Sequence, residues 1–261
     1  MTLKILVVIG SPHKGETFAV IRRVEEAMAR LGDVEFDELW LKDVNLGQCV
    51  GCHACIRFGA EKCPLKNDLA AIEARMRAAD GLILASPVYC LQVTALLKTF
   101  IDLLAYRWHR PGYFGKFAMG ISSGGGQFKE TLQTMKQNSE MWGYTYVTGL
   151  GAAHPEALVP KMKQKLEEEI QQAAEKFYNA LAAKRVPSPS LYRLIMFRVW
   201  RINAQACKVF NPSDYSAWVN NGWFKQDYYD PTIPINPVKR LVARLMEPVL
   251  RRFLRGVYVG Y

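Results

Sequence analysis

The sequence has 261 residues, of which 50% are apolar, and a formal net charge of +10. This composition excludes a disordered chain, and because no run of 18 apolar residues occurs, no membrane-spanning helix is expected. The N-terminus shows no cleavable signal and the cysteines cluster in one loop, which together indicate a reducing cytoplasm. Residues 184–261 hold 13 basic and 4 acidic residues, so the positive charge belongs to the C-terminal third. A positive charge of this kind bears on how the protein meets a partner more than on how it folds.

The first 183 residues alternate between strand and helix patterns. Continuous apolar runs are typical of strands buried on both faces, and longer segments with helical periodicity predict helices. Strands are predicted at 3–9, 34–40, 81–85, 117–122 and 144–149, and helices at about 18–31, 68–79, 93–105, 128–142 and 160–183. Five strands alternating with five helices indicate an α/β fold with a doubly wound parallel sheet. The Val-Pro-Ser-Pro-Ser segment at 186–190 breaks the last helix pattern, so we divide the chain into domains 1–184 and 185–261.

Glycine, proline and serine mark the loops that follow the first, third and fourth predicted strands, at 10–17, 86–89 and 122–127. The first loop leads into a helix N-terminus, where free N–H groups and the helix dipole favour a phosphate. The carboxyl ends of parallel strands meet at the ligand crevice of an open sheet, so the three loops are expected to converge there. Glycine-rich turns and Tyr89 can supply the N–H donors and flat apolar packing that a flavin needs. Hydrolytic chemistry has no support, because no Ser–His–Asp set or carboxylate pair stands at motif spacing.

Four cysteines follow one another at C-x2-C-x2-C-x7-C spacing, and the last is followed by Pro64. They are Cys49, Cys52, Cys55 and Cys63. Three closely spaced thiolates with a fourth from a short excursion match a cubic 4Fe–4S cluster, and zinc or free, redox-active thiols are the alternatives. His53 inside this loop is expected to be a polar loop residue rather than a ligand. Cys90 is expected to be a small core residue.

Three patterns in residues 1 to about 183 form a specific combination. They are Gly10-Ser11-Pro12 with Thr17; the cysteine run closing on Asn67-Asp68; and Ser86-Pro87-Val88-Tyr89 continuing to Ala95, Lys98, Phe100, Ile101 and Asp102. In this combination the chain resembles the flavodoxin-like NAD(P)H-dependent FMN reductases, and specifically the iron–sulfur flavoproteins among them. The resemblance implies a five-stranded flavodoxin-like sheet in the order 2-1-3-4-5.

The resemblance also implies which residues hold FMN. The phosphate would lie at the first loop and the isoalloxazine ring between the other two loops. The implied residues are Ser11, His13, Gly15 and Thr17 for the phosphate; Pro87, Val88 and Tyr89 along the ring; and Ser123, Gly124, Gly125 and Gly126 near its other edge. Three positions depart from the family pattern, because arginine is usual where His13 and Leu103 stand and a small or amide residue where Glu16 stands. A carboxylate beside a phosphate is unfavourable unless it points outward.

Residues 185–261 form a basic extension with two predicted amphipathic helices, at 191–206 and at 238–255, the second kinked at Pro248. The connector at 211–237 is predicted to be irregular and is rich in tryptophan and tyrosine. An interfacial membrane anchor would expose Val242, Leu245, Val249 and Phe253 together, whereas a lid or dimer arm would bury them. We expect burial on the core or on a second protomer, because apolar helix faces in soluble proteins mostly face a core. Nucleic acid is not an expected partner, since no reading motif accompanies the charge.

These observations favour an FMN-dependent oxidoreductase with a 4Fe–4S cluster, which passes electrons from NAD(P)H or ferredoxin to a small-molecule acceptor. One alternative is a cluster-free NAD(P)H-dependent reductase of quinones, azo or nitro compounds. Another is a non-catalytic electron-transfer flavoprotein. We expect at least a homodimer, because flavin at a sheet edge leaves one ring face to be covered. A cytoplasmic location is expected, and peripheral membrane contact through 191–255 is the option left open.

Overall fold

A computed structural model describes residues 2–154 and 157–257 of the chain. The chain divides into two compact units. The first contains residues up to Val50 together with Leu65–Leu104 and Pro111–Arg185, and the second contains Gly51–Pro64, Ala105–Arg110 and the residues from Val186 onward. Most of the cysteine loop therefore belongs to the same unit as the C-terminal extension.

The first unit is built on a five-stranded parallel sheet in the order β2-β1-β3-β4-β5, which confirms the predicted topology. The strands are β1 (Leu3–Ile9), β2 (Val34–Trp40), β3 (Gly81–Pro87), β4 (Phe117–Gly124) and β5 (Thr145–Ala153). β1 and β3 are almost wholly buried, as central strands covered by helices on both faces should be. The register places Ile9 opposite Ala85, and Ser86 opposite Ser122, so the ends of β1, β3 and β4 lie at the same edge.

Four helices of the first unit lie between consecutive strands, and a fifth follows β5. They are α1 (Glu16–Ala29), α3 (Leu69–Ala78), α4 (Ala95–Leu103), α6 (Phe128–Trp142) and α7 (Pro160–Ala183). α4 begins two residues later than predicted, because the Thr94 side chain caps it by accepting a hydrogen bond from Leu97 N at 3.3 Å. β5 runs four residues beyond the predicted end at 149 and carries the chain to the same sheet edge as β4.

The second unit is mostly helical. Its helices are α2 (Ala54–Arg57), α5 (Tyr106–His109), α8 (Leu191–Ala206), α9 (Pro212–Asn220) and α10 (Pro237–Val257), with 3-10 turns at Ala60–Lys62 and Trp223–Lys225. The prediction of an irregular 211–237 segment is wrong for α9. Its first residue is Pro212, and proline is well suited to the first turn of a helix because the N–H it lacks has no intrahelical partner there.

The core of the second unit is aromatic. Phe197 of α8 lies 5.2 Å from Trp218 and 4.8 Å from Tyr229 between ring centroids, and Trp218 lies 5.5 Å from Trp223. Beside this cluster, the guanidinium of the buried Arg198 bonds to Asp227 and Glu247. Trp218 and Trp223 of the connector are buried.

The exposed face of α10 differs from the expectation. Val242, Leu245, Val249 and Phe253 are all exposed, so this chain does not itself bury them. Their burial would need a second surface. In the part of the chain that the structure describes, no helix is both long and apolar enough to cross a membrane.

Candidate functional site

The first loop of the sheet edge is held by backbone contacts around Gly10. Its N–H donates to the Ala85 carbonyl oxygen at 2.7 Å, and its own carbonyl accepts from the Thr94 hydroxyl at 2.6 Å. A Cβ at this position would lie 2.8 Å from the Leu97 Cβ. Only glycine lets β1, β3 and α4 approach this closely, so this residue fixes where the first loop leaves the sheet.

The N-terminus of α1 presents a set of donors at this edge. Ser11 and Thr17 are buried, and the Ser11 hydroxyl donates to a nearby backbone group, the His13 carbonyl at 2.8 Å. The Thr17 hydroxyl lies 2.6 Å from that of Ser123, which ties the first loop to the loop after β4. The N–H groups in the first turn of a helix have no intrahelical partner, and Gly15 at the N-cap has no side chain to satisfy them. This donor set suits an anion.

The loop after β3 is a tight turn with an unusual backbone. Val88 N–H donates to the Ser123 carbonyl at 2.8 Å, and Tyr89 and Gln92 exchange backbone hydrogen bonds across the turn. Cys90 and Leu91 inside the turn have φ of 47° and 67°, the left-handed region that non-glycine residues rarely adopt. Such strain is concentrated at functional sites. Cys90 is exposed, so the expectation that it lies in the core is wrong.

These loops enclose a crevice of about 410 Å³. It is lined by Ser11, His13, Glu16, Thr17, Pro87, Val88, Tyr89, Ser123, Gly124, Gly125 and His154. The structure thus brings together nine of the eleven residues that the resemblance implied for FMN. The other two, Gly15 and Gly126, do not line it, and Glu16 and His154 were not predicted.

Glu16 and His154 form a pair at the rim of the crevice, with His154 Nδ1 3.1 Å from Glu16 Oε1. The pair bears on the departure from the family pattern at Glu16, because the imidazole gives the carboxylate a hydrogen-bond partner at the rim. His154 follows β5, and its N–H donates to the Gly124 carbonyl at 3.1 Å. The sequence-based strand ended at 149, so the loop after β5 was not recognised as reaching the site.

The crevice fits FMN on its own chemistry. Its volume lies within the range of about 300–1,000 Å³ that cofactor pockets occupy. Hydroxyls and free helix N–H groups gather at one side, whereas Pro87, Val88 and Tyr89 provide apolar surface at another. A Cβ on Gly125 would lie 3.2 Å from His154 Nε2, so a side chain there would narrow the crevice.

Of the four cysteines of the predicted cluster, Cys49 and Cys52 are exposed and Cys55 and Cys63 are half-buried. Within residues 2–154 and 157–257, no three side chains of the metal-ligating types converge on a point where a metal ion could bind. The backbone between the cysteines is irregular: Gly51, His53 and Gly59 all have positive φ. The thiols are therefore present at the predicted spacing but are not arranged as a metal site.

Arg110 connects the cysteine loop to the extension. Its guanidinium donates to the Cys55 carbonyl oxygen and to the Ser213 hydroxyl, and its Nε lies 3.3 Å from Asp214 Oδ1. The other carboxylate oxygen of Asp214 is 2.7 Å from His109 Nδ1. These contacts hold residues 54–57 against the start of α9, a role for the extension that its sequence did not reveal.

Comparison with known proteins assigns the N-terminal part of the chain to a family. Residues 3–157 match the family model of the NADPH-dependent FMN reductases, so residues 158–261 lie outside the match. An iron–sulfur flavoprotein of Methanocaldococcus jannaschii is 37% identical over 138 residues, covering 50% of this chain and 68% of that protein. An iron–sulfur flavoprotein of Archaeoglobus fulgidus is 30% identical over 155 residues, covering 57% of this chain and 69% of that protein.

Solved structures show the fold alone. RosB with a bound 8-demethyl-8-formylriboflavin-5'-phosphate intermediate is similar at a TM-score of 0.56 and 13% identity, with 90% of each chain covered. An oxidoreductase of Corynebacterium diphtheriae is similar at a TM-score of 0.52 and 18% identity, covering 70% of this chain and 98% of that one. The match to the family model covers more than half of the chain. The closely spaced cysteines agree with the iron–sulfur centre that the names of the two relatives state. The chain therefore belongs to the NADPH-dependent FMN reductase family, as a member of the iron–sulfur flavoprotein type.

Proposed function

We propose that the crevice binds FMN with its phosphate at the N-terminus of α1 and its ring system along Pro87–Tyr89. The observation that carries this proposal is the convergence of three strand-end loops on one crevice with hydroxyls at one side and apolar groups at another. Family membership makes the chain an FMN-dependent oxidoreductase. The orientation of the cofactor and the role of each residue are our inference.

The residues of the crevice have separate tasks in this proposal. Ser11 and Thr17 donate hydrogen bonds to the phosphate, together with the free N–H groups of α1. These hydrogen bonds are stronger than those to a neutral acceptor because the phosphate is charged. Val88, Tyr89 and Gly125 form the surface against which the ring lies. FMN, when bound, supplies the exchange of a hydride or of single electrons. The chain itself binds, orients and partly shields the cofactor.

The direct test is binding and turnover with a matched pair of tyrosine variants. Tyr89 lines the crevice and is 47% exposed, whereas Tyr192 lies on α8 and is 67% exposed. Tyr89→Ala is expected to weaken FMN binding at least about fivefold, because an aromatic contact contributes about 1 kcal/mol beyond its buried area. Tyr192→Ala should bind FMN like the parent. Equal FMN affinity in both variants and the parent would contradict the placement of the ring.

The electron donor is proposed to be NADPH or NADH, with ferredoxin as the alternative, and the acceptor a small molecule. The family description supports the nicotinamide donor. Anaerobic mixing of the FMN-loaded protein with NADPH, NADH or reduced ferredoxin would separate these donors by the rate at which the flavin absorbance bleaches. Failure of all three to bleach it would contradict the proposal and favour a non-catalytic electron carrier.

We further propose that Cys49, Cys52, Cys55 and Cys63 hold a 4Fe–4S cluster. The spacing of the thiols and the names of the two relatives support it. Metal sites commonly form together with the fold of the loop that carries their ligands, so assembly of the cluster would draw these thiolates together. Since they do not converge in this structure, we derive no step of the reaction through the cluster.

Iron and sulfide analysis after anaerobic reconstitution tests the cluster. About four irons per chain are expected for a cubic cluster. Cys52→Ala should lose most of this iron, and Cys207→Ala, which removes a thiol outside the cysteine loop, should retain it. Iron near zero in the parent would overturn the cluster and favour the cluster-free reductase.

We also propose that the protein is at least a homodimer. Tyr89, which lines the crevice, and Leu91, in the same turn after β3, are both exposed, and a second protomer could cover them. A light-scattering mass of one chain at micromolar concentration would contradict this proposal.

A further inference from the structure

One face of α10 presents apolar side chains to solvent along most of the helix. These residues share one face of the helix, and we call them the apolar stripe: Val238, Leu241, Val242, Leu245, Val249 and Phe253. Leu245 is 66% exposed and Phe253 65%. Ala243 and Leu254 are buried instead, and α10 packs against α8. The helix is therefore anchored by one face and leaves another uncovered.

The charges of α10 are almost all positive. The helix carries six Lys or Arg residues and a single acidic residue, Glu247. Glu247 is already engaged by Arg198 and Arg201 of α8. At about 100° per residue, Arg252 lies within one edge of the apolar stripe, between Leu241 and Leu245. Arg255 lies just outside that edge, and Lys239 lies beyond the opposite edge. None of these three cations forms an ion pair within the described residues 2–154 and 157–257.

We propose that the apolar stripe docks on an anionic lipid surface, with the apolar side chains entering the interface and the flanking cations meeting lipid phosphates. A helix with an exposed apolar face bordered by cations has the pattern of an interfacial helix. The stripe extends over about 22 Å, enough for the helix to lie along a membrane. This contact is peripheral and is separate from the proposed flavin chemistry.

A second copy of this chain is the less suitable occupant. In a two-fold symmetric contact the same surface meets itself, so the cations bordering one stripe would face those bordering the other. Like charges brought together at an interface oppose association. An anionic lipid surface instead neutralises each of them, by an attraction that salt screens.

The test uses the full-length FMN-loaded protein and two kinds of vesicle, phosphatidylcholine alone and phosphatidylcholine with phosphatidylglycerol at about 3:1. Co-sedimentation at low salt should show binding to the anionic vesicles only, and the binding should fall as salt is raised. Leu245→Glu should weaken binding at least about tenfold, because it removes apolar area and adds a like charge to the surface. Arg252→Gln and Arg255→Gln should weaken it by roughly fivefold each.

Met162→Glu is the matched control, because Met162 is also exposed on a helix, α7, and the charge change is the same. It should bind vesicles like the parent. Circular dichroism and FMN content verify that each variant is folded. Absence of parent binding to anionic vesicles, or equal losses in Leu245→Glu and Met162→Glu, would overturn the proposal. Self-association that Leu245→Glu abolishes, without vesicle binding by the parent, would assign the stripe to a second copy instead.

Discussion

Substitution of Gly10 by alanine tests how the sheet positions the first loop of the crevice. The added methyl group would lie 2.8 Å from Leu97 Cβ, 3.2 Å from the Ala85 carbonyl oxygen and 3.2 Å from the Thr94 hydroxyl. Carbon atoms in ordinary contact are about 3.5–4.0 Å apart, so the overlap with Leu97 is roughly 1 Å. A Cβ and a carbonyl oxygen cannot rotate out of the way, and β1, β3 or α4 must therefore shift.

The expected cost has two parts. Overpacking of a well-packed core typically costs about 1–3 kcal/mol. A shift of Gly10 also weakens the 2.6 Å hydrogen bond from Thr94 to its carbonyl, which is worth about 1 kcal/mol. We therefore expect the free energy of unfolding to fall by about 2–4 kcal/mol, and the midpoint of thermal unfolding by roughly 6–12 °C.

Thermal unfolding followed by circular dichroism measures the loss of stability. The amount of protein-bound flavin measures FMN affinity, which should fall because Ser11 directly follows Gly10. Gly256→Ala is the control, because no described atom outside its neighbours lies within 4 Å of a Cβ there and its φ is not positive. That variant should unfold at or slightly above the parent temperature, since alanine favours helix over glycine by about 1 kcal/mol. An unfolding midpoint for Gly10→Ala within about 1 °C of the parent, with FMN fully retained, would refute the reasoning.

Three further predictions concern single side chains. Thr17→Val should weaken FMN binding about tenfold or more in a fluorescence titration, because it removes a donor to the phosphate and the partner of the Ser123 hydroxyl; unchanged affinity would place the phosphate elsewhere. Burial raises the pKa of Glu25 from 4.5 to about 7, so the stability that its protonated form contributes is present at low pH and lost as pH rises through 7. The free energy of unfolding of Glu25→Gln, measured with denaturant relative to the parent, should therefore be higher at pH 8 than at pH 5 by on the order of 2 kcal/mol. The same variant-to-parent difference at both pH values would argue against a raised pKa. Arg110→Gln should lower the iron bound after reconstitution while FMN content stays the same, because the Cys55 carbonyl and α9 lose their common donor; full iron content would contradict that role.

The sheet was predictable because each strand carries its own signal. β1 is a continuous apolar run ended by Gly10-Ser11-Pro12, and its bounds match the prediction. The loops followed from the same reasoning, since strand ends in a parallel sheet share one edge. β5 was cut short because Gly149 and Gly151 interrupt its apolar pattern, and His154 was missed with it. Whether a glycine ends a strand or packs within it depends on its neighbours, which local sequence does not state.

The extension was less predictable, for a physical reason. Amphipathic periodicity shows that α10 has an apolar face, but it does not show how much of that face its own chain covers. The helix is held through Ala243 and Leu254, and the larger apolar residues lie on the exposed side. The link from Arg110 to Cys55 and Asp214 joins segments more than 50 residues apart, and no spacing rule reveals such a contact.

Titration of the flavin-free protein with FMN and with riboflavin tests the central claim most directly. The two flavins share the ring system, and only FMN carries the phosphate that we place at the N-terminus of α1. Saturation at one FMN per chain is expected, with riboflavin binding at least about a hundredfold more weakly, because each charge-assisted hydrogen bond that it lacks contributes roughly tenfold. Equal affinity for the two flavins, or no saturable FMN binding, would contradict the assignment of the crevice.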